Sequence, residues 1–227
     1  MTDLTLVIPA KQEAESLPKV LKEIIKLNIN CKIKICIAQN DYKTIEAIKN
    51  FKGCEVYFQK SMGYGSALIE GIKNVKTKYF CIFNADGSFN PNELINMKKD
   101  IKFRKLDFLF ASRYLKNSGS DDDTYITCMG NLFFSAIGKY IFKMPISDIL
   151  YTFVLGKTSK FRKINFFQND FRFCVELPIK CFKNNYKIAD ITSYERARIG
   201  GKKKVNALKD GILILFEIVK LYFYKND

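Results

Sequence analysis

Asn84, Asp86 and Ser88 follow directly on the apolar run Tyr79-Phe80-Cys81-Ile82-Phe83. A carboxylate flanked by an amide and a hydroxyl at the carboxyl end of a buried strand sits where open α/β sheets bind ligands. Asp86 is a hard oxygen donor suited to Mg²⁺ or Mn²⁺, a cation that would bridge a diphosphate and neutralise a leaving group. Asn84 offers a second, uncharged oxygen. A plain Asp-Gly-Ser turn is the alternative. The chain holds no histidine, which excludes Ser-His-Asp and Cys-His catalysis and every histidine-ligated metal. Acid–base and metal chemistry must therefore rest on carboxylates.

Three further groups suit anions. Gly63 and Gly65 let a backbone approach a ligand closely, and the helix opening there offers amides to a phosphate. A tight turn would look the same. Arg113 follows a strand, and its planar guanidinium suits a diphosphate or an acceptor phosphate, with a surface ion pair as the other option. Arg196, Arg198, Lys202, Lys203 and Lys204 make a basic cluster around Gly200-Gly201, which a solvated charge run would also produce.

Strands and helices must position these groups. Leu4 to Ile8, Ile33 to Ala38, Glu55 to Phe58, Tyr79 to Phe83 and Asp107 to Ser112 read as strands. Helical spacing occupies the intervals between them, with Pro91 suited to the first position of a helix. The alternation predicts a mostly parallel sheet with helices on both faces. Beyond it, Lys116 to Asp123 is a loop with three consecutive aspartates. Asn131 to Phe142 and Phe171 to Phe182 are predicted helices, and Lys187 to Ser193 a last strand. From Val205, an apolar stripe of Leu208, Ile212, Leu215, Phe216, Val219 and Phe223 follows the basic cluster. It predicts a basic amphipathic helix, lying on a membrane surface or packing onto the domain. The expected division is one domain over 1–200 and this appendage over 201–227.

Composition narrows the class. The 227 residues carry 38 Lys and Arg against 23 Asp and Glu, a net charge of +15. That surplus favours anionic partners: nucleic acid, anionic lipid or phosphate-bearing substrates. The basic residues are not interleaved with a nucleic-acid-binding motif, so nucleic acid is not expected. The seven cysteines are scattered, without a C-x-x-C pair, and point to a reducing compartment. No leader is expected ahead of the first strand, and no apolar run reaches a spanning length.

Taken in order, these stretches resemble family 2 glycosyltransferases of the GT-A fold, a Rossmann-like α/β architecture. The branch most alike makes polyprenyl-phosphate sugars, such as the dolichol-phosphate mannose and glucose synthases. The likeness runs through Val7-Ile8-Pro9-Ala10-Lys11-Gln12-Glu13-Ala14-Glu15-Ser16-Leu17, Gly63-x-Gly65-x-Ala67-x-x-x-Gly71 and Ala85-Asp86-Gly87-Ser88-Phe89-x-Pro91. It continues in Ala111-Ser112-Arg113-Tyr114, Gly130-Asn131, Ser147-Asp148 and the Arg-x-x-Gly-Lys segment at Arg198. The resemblance implies an inverting transfer from a nucleoside-diphosphate sugar with Mg²⁺ or Mn²⁺, peripheral at the cytoplasmic membrane face. The acceptor it implies is a polyprenyl phosphate, or else a glycan hydroxyl. It implies donor contacts at Pro9, Ala10, Glu13, Asp41, Gly63, Gly65, Asn84 and Ala85, metal at Asp86 and Asn84, and phosphate contacts at Arg196, Arg198 and Lys202. Catalytic roles fall to Asp86, Arg113 and Asp148, the last in the acceptor site as a possible base. Asp41 has a helix cap as its alternative. The chain departs from the family at Asn84, where the motif has Asp, at Gln39-Asn40-Asp41, and at Ile149-Leu150-Tyr151-Thr152-Phe153.

Overall fold

Nearly every position of the first strand, β1 (Leu4–Ala10), is buried, as a strand covered by helices on both faces requires. Leu4, Leu6 and Ile8 join one core cluster and Val7 the other, following the two-residue alternation of a strand. The computed structural model describes residues 2–200 and 203–224. After β1 come α1 (Leu17–Lys26), β2 (Lys32–Ile37), α2 (Tyr42–Ile48), β3 (Cys54–Phe58), α3 (Tyr64–Lys73), β4 (Tyr79–Ile82), α4 (Glu93–Phe103) and β5 (Phe108–Ser112). Helix α4 starts two residues beyond Pro91, which lies in the preceding turn.

The second half holds β6 (Gly119–Ser120), α5 (Tyr125–Tyr140), β7 (Val154–Lys157), α6 (Thr158–Phe161), α7 (Phe173–Lys183), β8 (Ile188–Thr192), β9 (Tyr194–Glu195) and α8 (Ala207–Phe223). The main sheet has the order β3-β2-β1-β4-β7-β5-β8, and β6 pairs with β9 apart from it. Strands β2 and β3 step away on one side of β1, and the chain then returns to place β4 on the other. The crevice beyond the carboxyl ends of β1 and β4 is the switch point at which such sheets bind ligands.

One strand departs from the predicted parallel pattern. β7 runs antiparallel between β4 and β5, setting Gly156 opposite both Phe80 and Phe108. A Cβ at Gly156 would come within 2.5 Å of the Phe108 ring, so the glycine lets two aromatic neighbours close over the strand. Its four residues are too few to show a period. Helix α5 begins six residues before the expected Asn131, because Thr124 and Thr127 exchange side-chain and backbone hydrogen bonds at its start.

Helix α8 follows the basic segment, with Asn206 as its cap. It packs through Ile214, Ile218 and Leu221 into the second core cluster. The stripe expected from sequence lies on the opposite, exposed face. Among the described residues, no helix is long and apolar enough to cross a membrane.

Candidate active site

Asp86 sits just past β4, inside the switch-point crevice. Its Oδ1 accepts from the Ser88 amide at 3.0 Å and the Ser88 hydroxyl at 2.8 Å. Those two bonds fix the carboxylate's plane and leave Oδ2 facing outward, where the Arg198 guanidinium approaches to 3.3 Å. A cation thus already stands at the oxygen a divalent metal would use. Asn84 donates to the Ser88 hydroxyl at 3.5 Å through its nitrogen, not its oxygen.

A strap formed by residues 195–200 covers this turn. The Arg196 amide donates to Ser88 O at 2.8 Å and the Ile199 amide to Asp86 O at 2.7 Å. Gly87 has φ of +87°, and a Cβ there would strike the Ile199 side chain at 2.4 Å. Glycine is therefore needed twice over, for the backbone and for the contact. Arg196 donates through Nη2 to Gly87 O, Phe89 O and Glu23 Oε2 at 2.8, 2.9 and 2.9 Å. Its guanidinium pins the strap to the turn rather than facing the crevice as a phosphate contact would. Arg198 bridges Asp86 and Asp122, the latter at 3.3 Å, and Lys203 adds a second link to Asp122 at 3.1 Å. Lys204 pairs with Glu13 Oε1. Lys202 lies outside the described residues.

At the end of β1, Pro9 is half-buried and Ala10 joins the first core cluster, just ahead of Glu13. Glu13 is buried and also accepts from Ser16 Oγ at 2.6 Å. Asp41 caps α2 through the Thr44 amide, and its Oδ2 accepts from the Gln12 amide at 2.6 Å. Both of its oxygens are thus taken up in holding the two loops together. Ala85, between Asn84 and Asp86, is buried. Arg198 and Lys204 therefore neutralise Asp86 and Glu13.

The glycines at α3 have a different neighbour from the one expected. A Cβ at Gly63 would fall 2.0 Å from Asn169 O, and one at Gly65 would fall 2.6 Å from Gln168 O. The Ser66 amide donates to Asn169 O at 3.1 Å. The close approach that Gly-x-Gly permits is taken by the chain's own 168–170 segment, and a helix amide expected for a phosphate is already bonded to it.

Arg113 and Asp148 form the other half of the rim, and they face each other. Asp148 is fully buried. Its Oδ2 accepts from Arg113 Nε at 2.8 Å, and its Oδ1 from Arg113 Nη2 at 3.2 Å and the Leu150 and Tyr151 amides at 3.1 Å each. With every lone pair engaged, its oxygens have no open path to an acceptor proton. Arg113 also pairs through Nη1 with Glu195 at 3.1 Å and stacks over the Tyr151 ring at 4.7 Å. Burial opposes its charge, yet Asp148 and Glu195 outweigh that and hold its pKa well above the usual value. Burial pushes the Glu195 carboxyl up despite Arg113. Glu195 and Asp122 were not singled out from sequence as site residues; each lies far along the chain from its spatial partners, so no local spacing marks it.

The donor set fits a hard divalent cation as far as it goes. Asp86 supplies one outward oxygen, and among the described residues there is no cluster of three His, Cys, Asp or Glu able to hold a metal. Mg²⁺ and its like commonly take one or two carboxylates and fill their shell with substrate phosphates and water.

Comparison with known proteins identifies the family and the fold. Glycosyl transferase family 2 matches residues 5–172. Mannosyl-3-phosphoglycerate synthase from Rubrobacter xylanophilus superposes with a TM-score of 0.74 at 15% identity, over 97% of this chain and 72% of that one. Glucosyl-3-phosphoglycerate synthase from Mycobacterium tuberculosis, in complex with Mn²⁺, uridine diphosphate and glucosyl-3-phosphoglycerate, gives 0.72 at 11% identity, over 100% of this chain and 82% of that one. At these identities the likeness is one of fold.

Proposed function

The chain belongs to glycosyl transferase family 2, and from that premise we propose that it transfers a sugar from a nucleoside-diphosphate sugar to a polyprenyl phosphate in one inverting displacement. An acceptor phosphate oxygen attacks the anomeric carbon. The bond from that carbon to the β-phosphate oxygen breaks, and nucleoside diphosphate leaves with the electron pair. Mg²⁺ or Mn²⁺, when bound, would offset the charge that develops on the leaving diphosphate. Asp86 would hold it, with Asn84 able to add a neutral oxygen if its amide turns over.

In this reading Arg198 and Lys204, which now neutralise Asp86 and Glu13, transfer to the donor's phosphates once metal and nucleotide arrive. Such exchange keeps the crevice charge-balanced in both states, and a preorganised positive wall supports transfer between two anions. Arg113 acts from behind this wall, orienting Tyr151 and the strap through Glu195.

The observation that carries the choice of acceptor is the sealed state of Asp148. A hydroxyl acceptor must lose its proton to a base, and the expected base has none of its oxygens available. A phosphate monoester is already largely ionised near neutral pH, its second pKa being about 6, and needs no base.

The two neighbouring synthases favour a second reading, in which the acceptor is a small phosphorylated acid. A panel of nucleotide sugars incubated with Mn²⁺ and either undecaprenyl phosphate or phosphoglyceric acid separates the two. A chelator-sensitive product in the organic phase supports the lipid acceptor. Product confined to the water phase supports the second reading and overturns the first.

A further inference from the structure

Helices α5 and α8 run side by side in the same direction. Asp122, just ahead of α5, is bonded to Lys203, just ahead of α8, at 3.1 Å. At the other end Phe142 meets Tyr222 edge to face, ring centres 5.8 Å apart. Each helix buries one face in the second core cluster, α5 through Phe134 and α8 through Ile214 and Ile218.

Their outer faces are apolar as well. Tyr125, Ile126 and Phe133 on α5 are 82%, 71% and 55% exposed, and Leu208, Phe216 and Phe223 on α8 are 78%, 69% and 75% exposed. On α8 the exposed set recurs at helical spacing opposite the buried one. A helix that is apolar on both sides is covered on both sides, and adjoining patches of this extent mark an interaction surface.

We propose that the paired outer faces of α5 and α8 are one docking platform for an anionic lipid bilayer. Charge selects this occupant. Helix α5 has no acidic residue, and the two acids of α8, Asp210 and Glu217, lie half-buried and buried on its inner side. Lys139, Lys143, Lys209 and Lys220 are exposed beside the apolar faces, so the platform is an apolar band with basic flanks. The aspartates 121–123 lie only at its rim end, where Asp122 is paired with Arg198 and Lys203 and Asp123 with Arg113. An anionic headgroup layer complements those basic flanks. A second copy of a chain with net charge +15 would set like charges against them.

The platform deepens the lipid-acceptor reading, because both helices start at the catalytic rim: α5 after the aspartate loop, α8 after the strap that touches Asp86. A bilayer under the two helices brings headgroup phosphates level with Arg198 and Lys203. Binding to the bilayer does not itself require that reading.

Vesicle flotation tests the proposal. The full chain is expected to float with vesicles of phosphatidylglycerol and phosphatidylcholine and to release in high salt. Ile126→Glu and Phe216→Glu should each weaken binding about tenfold while leaving thermal unfolding unchanged, since both side chains project from the surface. The α5 variant is decisive, as a surface made by α8 alone would not feel it. Failure of the full chain to float, or full binding by Ile126→Glu, overturns the platform. So does sedimentation showing a concentration-dependent dimer that either substitution dissolves. Floating without turnover on undecaprenyl phosphate would sink the acceptor reading and leave the platform standing.

Discussion

Asp86 and Asp148 are both aspartates at the rim of one crevice, yet their surroundings make them opposites. Asp86 takes two bonds from Ser88 on one oxygen and turns the other toward a guanidinium held by two part-buried ion pairs. Asp148 is enclosed by Arg113 and backbone amides and has no exposed surface. A carboxylate that must receive a mobile cation needs one oxygen left loosely engaged. A carboxylate that must hold an arginine in the interior needs all of them engaged, since a buried charge without partners is expensive.

Removing each charge should therefore damage different properties. Asp148→Ala leaves Arg113 short of its main partner in a buried site, with an expected loss of about 3 kcal/mol of stability, read by urea denaturation. Near-wild-type stability would break the contrast from one side. Asp86→Asn should leave the unfolding midpoint almost unmoved and lower turnover by roughly a hundredfold or more. If its turnover stays within a few-fold of normal, the metal role of Asp86 fails.

Smaller changes sharpen the comparison. Arg198→Ala removes the cation that stands at Asp86 Oδ2. Titration calorimetry should then show Mn²⁺ binding to the ligand-free protein tightened a few-fold, with weaker binding of nucleoside diphosphate, since the guanidinium no longer competes for the same carboxylate oxygen. Unchanged Mn²⁺ affinity would mean that the guanidinium and the metal do not compete.

The smallest effect concerns Asp3, at the far end of the sheet. Burial acts to raise its carboxyl, but Lys102 and Lys98 outweigh burial and hold it at about 2, below the ordinary 3.8. A depressed folded-state value stabilises above about pH 4 and is lost as pH falls toward 2. Asp3→Asn should therefore lower the melting temperature slightly at pH 5 and not at pH 2, whereas the Asp148→Ala deficit should still be large at pH 5.

Legibility differed from element to element. The runs at β1, β2, β4 and β5, and the helices between them, carry their period in adjacent residues, and the parallel order with its crevice follows from that alternation. Strand β7 escaped because four residues ending in Gly-Lys show no period and because its place between β4 and β5 is decided by aromatic rings that only Gly156 can pass beneath. Gly63 and Gly65 were legible as a close approach, but what approaches is the chain's own 168–170 segment. The stripe on α8 was legible as a stripe, and the structure turned it outward because a second apolar face, Ile214, Ile218 and Leu221, won the core.

The chain taken alone determined an α/β sheet with a carboxylate at its switch point, the absence of histidine chemistry, and a basic segment ahead of an apolar helix. These are properties of residue type and short-range spacing. Only the folded molecule decided which charges meet: Arg198 with Asp86 across 112 residues and Arg113 with Asp148 across 35. The physical reason is that a pairing between distant residues is set by where strands and loops bring their ends. Whether a given carboxylate then holds a metal or an arginine depends on how many donors reach it there.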